Sequence, residues 1–171
     1  KSLSGVYSLN KGNGIVKPII NGLHSSRIIM INNGVRMQDQ EWGKEHAPNI
    51  DVNAVGKLTL VKSASALQYG GDAMGGIIIA EGLKIPVKDS LFGKTSISAA
   101  SNGRGGVFTS QLTKSTKNGW YGTLQGTVKR FGDVESSSYV MSSTGLIEKD
   151  FSLRLGVNRF NYGLEAYYAY Y

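Results

Sequence analysis

Residues Trp120 to Phe131 read WYGTLQGTVKRF, and small or apolar residues alternate with polar ones along this stretch. The same period of two recurs from Ile147 to Val157, where Lys149 breaks the apolar row, and from Tyr162 to Tyr171. Because successive side chains of a β-strand point to opposite faces, each stretch predicts a strand with one apolar and one polar face. A typical strand has only about five or six residues. Strict alternation over about ten residues is what a tilted membrane-spanning strand needs, so the pattern favours a transmembrane β-barrel.

The connections between these stretches alternate in length. Asn118-Gly119 and residues 158–161 are short, whereas residues 132–145 form a long, serine-rich connection. Short turns on one side and long loops on the other are typical of outer-membrane barrels, and Tyr and Trp near the strand ends fit an aromatic girdle. A soluble antiparallel sandwich with one buried face is the alternative, and strand length and loop asymmetry favour the membrane.

The composition excludes several function classes. The 171 residues include 23 Gly, 3 Pro and no Cys, with 40% hydrophobic and 18% charged residues. These values exclude collagen, a disordered tail, disulfide scaffolds and thiol catalysis, and no apolar run approaches the roughly 18 residues of a transmembrane helix. The net charge of +7 is spread singly along the chain, so we expect no nucleic-acid partner.

The first half of the chain alternates short apolar runs with Gly-rich turns. Asp51 is placed to cap a short helical turn, and Asn33-Gly34 is a strong turn signal. We predict strands at 18–20, 28–31, 58–61 and 75–80, and a short helix at 63–69. Strands interleaved with short helices predict a small α/β sheet.

Two segments of this half resemble the plug domain of TonB-dependent outer-membrane receptors. They are KPIINGLHSSRIIMINNGVR, from Lys17 to Arg36, and IDVNAVGKLTLVKSASALQYGGDAMGGII, from Ile50 to Ile78. The resemblance covers about Gly5 to Glu81, and alternating strands follow it, where this family begins its barrel. The plug-motif positions are Asn21, Gly22, Arg27, Asn33, Gly34, Lys57, Thr59, Tyr69, Gly70, Gly75 and Gly76.

The resemblance implies a domain organisation and a function. It implies a plug domain over residues 1–82 whose N-terminal part is missing, a connector over 83–90, and roughly the first five strands of a 22-stranded β-barrel over 91–171. We therefore expect the chain to be a fragment of a receptor in the outer membrane of a Gram-negative bacterium. The implied activity is import of a scarce nutrient, namely a metal ion, a metal chelate, haem or cobalamin, with the plug gating the barrel.

The resemblance also implies partners. These are a TonB-type energising protein in the periplasm, outer-membrane lipid, and the rest of the barrel or a protein that pairs with the open sheet edges. No cofactor is implied beyond a divalent metal as transported substrate. A non-transporting plug-like receptor, or a β-rich partner-binding module, is the alternative function.

Several positions depart from the family pattern. Asn21 stands where the family has Arg, Asn33 where it has Asp, Thr59 where it has Glu, and Ser63-Ala64 where it has Gly-Pro. In the family, the charged residues help to hold plug and barrel together through Arg–Glu pairs. A neutral amide does not replace a bidentate guanidinium, so we expect this pairing to be rewired or relaxed.

One segment, residues 38–51, is dense in chemically versatile side chains. In the resembled fold it faces the substrate, through Asp39, Glu41, Trp42, Glu45 and His46. Glu45, His46 and Asp51 supply oxygen and imidazole ligands suited to Zn²⁺ or another divalent ion. A hydrated loop without a ligand is the alternative. The chain has no nucleophile motif, and His24 is interpreted as a turn residue, so we expect no enzyme.

Overall fold

The computed structural model of the protein describes residues 4–11, 15–37, 50–71, 73–85 and 88–171. The chain divides into two compact units, Lys1–Ile50 with Val55–Leu83, and Asp51–Ala54 with Lys84–Tyr171. Within the described ranges, no helix is long and apolar enough to cross a membrane.

The first unit is built on short strands. They are β1 Val6–Lys11, β2 Ile15–Ile20, β3 Ile28–Asn32, β4 Val35–Arg36, β5 Lys57–Val61 and β6 Gly76–Glu81. Strands β1 and β2 form an antiparallel pair. The other four form one sheet in the order β4-β3-β6-β5, in which β3 and β6 run parallel.

The core of the first unit lies on both sides of the central β3–β6 pair. One buried cluster contains Ile20, Ile28, Met30 and Ile78, and the other contains Ile29, Ala66, Ala73 and Ile77. Continuous β-branched runs are expected where a strand is covered on both faces. The strands predicted at 28–31 and 75–80 are confirmed.

The prediction of an α/β sheet is wrong for the described residues, because their helical segments are all of the 3₁₀ type. These are Ser25–Arg27, Val52–Ala54 and Ser63–Tyr69. The longest has 7 residues, and in so short a segment packing contacts outweigh helix propensity. Gly70 follows it with a φ of 138°, and the helix ends there.

The second unit is dominated by long strands. They are β7 Ser90–Ala100, β8 Gly105–Ser115, β9 Trp120–Phe131, β10 Val134–Glu135, β11 Val140–Met141, β12 Leu146–Arg159 and β13 Tyr162–Tyr170. An antiparallel sheet joins five of them in the order β13-β12-β9-β8-β7, and β10 pairs with β11 inside the long connection. The five strands have 9 to 14 residues, as the alternation predicts. Closure into 22 strands stays a prediction.

The five-stranded sheet has two chemically distinct faces. On β9, Leu124 is 48% exposed, whereas its neighbour Gln125 is 2% exposed. We call the side that carries Leu124 the apolar face and the side that carries Gln125 the polar face. Exposed residues of the apolar face include Ile97, Phe108, Leu112, Trp120, Leu124, Val128, Ile147, Phe151, Leu155, Leu164, Tyr168 and Tyr170.

Candidate functional site

The polar face of the second unit holds the candidate site, because it combines burial with hydrogen-bonding groups. Its buried polar residues are Thr109, Thr113, Ser115, Gln125, Thr127, Asp150 and Ser152. Buried polar groups lower stability unless they find partners. The hydrogen-bond partners of these residues therefore determine which polar groups and charges of this face are already satisfied.

Cross-strand hydroxyl pairs satisfy much of the polar face. Each pair joins two residues that lie directly opposite one another on neighbouring strands. The oxygen–oxygen distances are 2.7 Å for Ser90–Ser115, 3.0 Å for Thr113–Thr123 and 3.1 Å for Thr109–Thr127. Such pairs stabilise a sheet by roughly 0.2–1 kcal/mol each.

Asp51 is the most heavily hydrogen-bonded carboxylate of the described chain. Its Oδ1 accepts from the Asn53 backbone N–H at 3.0 Å and from Asn53 Nδ2 at 2.8 Å. Its Oδ2 accepts from Gln125 Nε2 and from Thr127 Oγ1, both at 2.6 Å. The Asn53 backbone bond caps the 3₁₀ turn Val52–Ala54, so the predicted capping role of Asp51 is confirmed.

The network continues from Asp51 into the sheet. Gln125 Nε2 also donates to Thr127 Oγ1 at 2.9 Å, and Gln125 Oε1 accepts from Ser152 Oγ at 2.8 Å. Both ends of the Gln125 amide therefore form hydrogen bonds. Its nitrogen donates to the Asp51 carboxylate, and its oxygen accepts from Ser152 on β12. Together these bonds attach residues 51–54 to the middle of β9 and β12.

The hydrogen bonds decide the ionisation of Asp51. Burial alone raises its pKa, but the hydrogen bonds from Thr127, Gln125 and Asn53 outweigh burial and lower the pKa below the ordinary value of 3.8. Asp51 is therefore a carboxylate at neutral pH, and its negative charge lies on the polar face.

A second group of charges lies one step along the same strands. Lys129 donates to Glu148, which lies directly opposite it, and Lys129 Nζ lies 3.2 Å from Asp150 Oδ2. The side chain of Asp150 is 1% exposed, and neither of its oxygens accepts a directed hydrogen bond from a described residue. With Asp51, the group has three acids and one base, so the polar face is locally negative.

The structure tests the predicted metal ligands only in part. The substrate-facing residues Asp39, Glu41, Trp42, Glu45 and His46 lie outside the described residues. Within the described ranges, no group of three or more His, Asp or Glu residues is arranged to hold a metal ion. A metal at Asp51 would have to displace the donors of Asn53, Gln125 or Thr127, and a site at Glu45 and His46 stays a prediction.

Two plug-motif turns have positive φ, and this geometry bears on one departure from the family pattern. Asn21 and Gly22 have φ values of 50° and 80°, and Asn33 and Gly34 have φ values of 48° and 82°. Two-residue turns with positive φ at both positions favour Asn-Gly, because Asn tolerates the left-handed region better than Arg does. Local backbone geometry favours Asn over Arg at position 21, whereas an Asp at position 33 would suit its turn as well as Asn33 does, and a rewired plug–barrel pairing stays a prediction.

The other plug-motif residues are spread over the first unit. Lys57 forms an exposed ion pair of 3.2 Å with Glu81. Arg27 Nη1 donates to Met74 Sδ at 3.0 Å. Thr59 lies opposite Ile79 in the sheet. Tyr69 is exposed, and Gly70 ends a 3₁₀ helix. Gly75 and Gly76 are buried.

Sequence reasoning missed Gln125, Thr127 and Ser152 as members of the site. The alternation assigns them to the polar face of their strands, and this is the only signal that the sequence contains for them. Nothing in the sequence shows that Asp51, 74 residues before Gln125, shares that face.

Comparisons with known proteins agree with this architecture. The model of the TonB-dependent Receptor Plug Domain matches residues 1–77. Among solved structures, 24 chains match, and one, described as copper transporter OprC, has a TM-score of 0.76 at 20% identity. That match covers 90% of this chain and 24% of the other, so this chain spans about a quarter of the transporter's length.

No curated protein matches the sequence. Residues 1–77 match the plug domain of the TonB-dependent receptors, and the fold of this chain is similar to that of a solved transporter.

Proposed function

We propose that the complete receptor imports a metal ion or a metal chelate across the outer membrane. The observation that carries this proposal is a plug domain followed directly by long strands with one apolar and one polar face. The match of residues 1–77 to the plug of TonB-dependent receptors supports a receptor or transporter rather than an enzyme, placed in a Gram-negative outer membrane and energised by TonB. The choice of a metal is supported by the likeness to a copper transporter and by Glu45 and His46 in the predicted substrate-facing loop.

The Asp51 network suggests how substrate binding reaches the sheet. Residues 38–49 lead within two residues into Asp51, whose carboxylate is held by Gln125 and Thr127 at 2.6 Å each. A ligand that displaces this loop therefore also displaces the carboxylate of Asp51, which is hydrogen-bonded to the centre of the sheet. We infer that release of Asp51 from β9 is part of the transport cycle.

Uptake by the full-length receptor tests the proposal. In a strain that lacks the receptor gene, plasmid-borne receptor should restore accumulation of radioactive copper at limiting concentration, and removal of TonB should abolish it. His46→Ala should lower uptake, whereas His24→Ala, in an exposed turn that lies outside the loop, should not. Normal accumulation of copper, other metals, metal chelates, haem and cobalamin in the deletion strain would contradict the proposal and would favour a non-transporting receptor.

A further inference from the structure

The apolar face carries two positive charges side by side. Arg130 lies directly opposite Ile147, and Lys149 lies directly opposite Val128. Arg130 and Lys149 are therefore diagonal neighbours on β9 and β12, whose Cβ atoms are about 7–8 Å apart in such a pair. Both side chains are exposed, and both reach far enough to contact one small anion. Lys149 is also the residue that breaks the apolar alternation of β12.

The height of this pair on the sheet places it at a membrane boundary. Trp120 is 58% exposed on the apolar face, beside the short turn 116–119, where an aromatic girdle residue is expected. Ten residues further along β9, at about 3.4 Å per residue and a tilt of about 40°, Arg130 lies roughly 26 Å higher. An outward apolar band is about 25 Å tall. Arg130 is therefore level with the opposite headgroup region.

Lys149 lies slightly deeper than Arg130. Its partner Val128 lies about 21 Å above Trp120 on the same estimate. A lysine side chain at this depth extends along apolar surface until its ammonium group reaches the interface. The ammonium of Lys149 and the guanidinium of Arg130 thus meet at the same level.

The anion for this pair has to come from outside the sheet. Lys114, another base of the apolar face, forms an ion pair of 2.6 Å with Asp89. Neither Arg130 nor Lys149 has such a partner among the described residues, and the strand acids Glu148, Asp150 and Glu165 lie on the polar face. Exposed apolar side chains, Ile147 and Val128, flank the pair. Two donors beside apolar surface fit a phosphate group attached to acyl chains.

We propose that Arg130 and Lys149 bind the phosphate of a lipid headgroup, at the end of the sheet where the long connection 132–145 lies. The apolar side chains next to them contact the first carbons of the acyl chains. This inference depends on the apolar face meeting lipid and not on the identity of the transported substrate. Failure of copper uptake would leave it untouched.

Lipid binding to the full-length receptor tests the proposal. The purified receptor in a neutral detergent is titrated with dioleoyl phosphatidic acid or with dioleoylglycerol, which has the same chains and no phosphate, and bound lipid is counted by native mass spectrometry. Wild type should prefer phosphatidic acid. Arg130→Gln with Lys149→Gln should weaken that binding by about 30-fold, since each base near an anionic lipid contributes about one kcal/mol and 1.4 kcal/mol corresponds to tenfold.

Matched variants separate charge from folding. Arg130→Lys with Lys149→Arg keeps both charges and should bind phosphatidic acid within about threefold of wild type. Arg159→Gln removes a base from the other end of the apolar face and should change binding less than twofold. Equal binding of the two lipids, unchanged binding by the double Gln variant, or displacement of the lipid by millimolar inorganic phosphate would each overturn the proposal.

Discussion

Thr127 donates its single hydroxyl hydrogen to Asp51 Oδ2 over 2.6 Å, although 76 residues separate the two in sequence. Because this hydrogen is used there, the Thr127 oxygen must accept from Thr109 at 3.1 Å and from Gln125 at 2.9 Å. The direction of every bond in the network then follows, and all of them lead toward the Asp51 carboxylate. An ionised Asp51 is the acceptor on which the arrangement depends.

Replacement of Asp51 tests this dependence. Asp51→Asn keeps the shape but turns one acceptor oxygen into a donor, which then faces another donor on Asn53, Gln125 or Thr127. We expect a loss of about 1–3 kcal/mol in stability and faster hydrogen exchange at the amides of Asn53 and Ala54. Asp89→Asn, which breaks only the exposed pair with Lys114, should cost less than about 1 kcal/mol. Equal effects of the two variants would contradict the assigned role.

The hydroxyl of Thr127 is tested by removing it without changing the side-chain volume. Thr127→Val removes one donor from Asp51, one of the two acceptors of Gln125 Nε2, and the acceptor of the Thr109 hydroxyl. The midpoint of urea unfolding of the detergent-solubilised receptor should fall, by about 1–3 kcal/mol in free energy. Thr95→Val is the control, because Thr95 makes a single exposed bond of 3.1 Å to Ser110. A Thr127→Val variant as stable as Thr95→Val would show that the network contributes nothing.

Acid should loosen residues 51–54 in a defined pH window. The folded pKa of Asp51 is lower than its ordinary value of 3.8, so its stabilising effect is complete above pH 3.8 and is lost as the pH falls through the lower folded pKa. Exchange of the Asn53 and Ala54 amides, corrected for intrinsic rates, should be constant from pH 7 to 5 and rise below about pH 4. Asp51→Asn should show no such rise. A rise already complete at pH 5 would contradict the assigned sign.

Gly76 tests the packing of the plug sheet. It has a φ of 128°, and an added Cβ would lie 2.7 Å from the carbonyl oxygen of Val61. Gly76→Ala should therefore destabilise the first unit by roughly 2–4 kcal/mol, measured as the urea midpoint of that unit. Gly71→Ala meets nothing within 4 Å and should be neutral or stabilise by up to about 1 kcal/mol. An equal response at both positions would show that the close approach at Gly76 is not a constraint.

The sequence predicted the strands better than the helices. Alternation from Trp120 to Phe131 and the β-branched run from Ile28 to Ile31 reflect burial, which acts over a whole element, so both predicted strands are present. The segment Ser63–Tyr69 is a 3₁₀ helix, because in so short a stretch local contacts, and not helix propensity, decide the geometry. The pairing of β9 with β12 skips residues 132–145, and the alternation within each strand does not predict which strand it pairs with.

The candidate site was predictable only at one end. Asp51 stands out in the sequence as a cap, and the structure confirms that role. Its partners Gln125 and Thr127 look like any other polar residues of an alternating strand. Asp51 meets Gln125 and Thr127 because Asp51–Ala54 belongs to the second compact unit, although this segment lies within the plug sequence. No local sequence pattern predicts such a long-range contact.

The alternation on β9 is the basis of the whole account, and spin-label accessibility measures it most directly. Residues 1–171 contain no Cys, and in a full-length receptor freed of any other cysteines, nitroxide labels are placed one at a time on introduced cysteines from 121 to 129 in a lipid bilayer. Collisions with oxygen should peak at 124, 126 and 128, and should fall at 123, 125 and 127. Profiles without this period of two, or labels at 124 and 128 that collide mainly with a water-soluble nickel complex, would contradict a lipid-facing apolar surface.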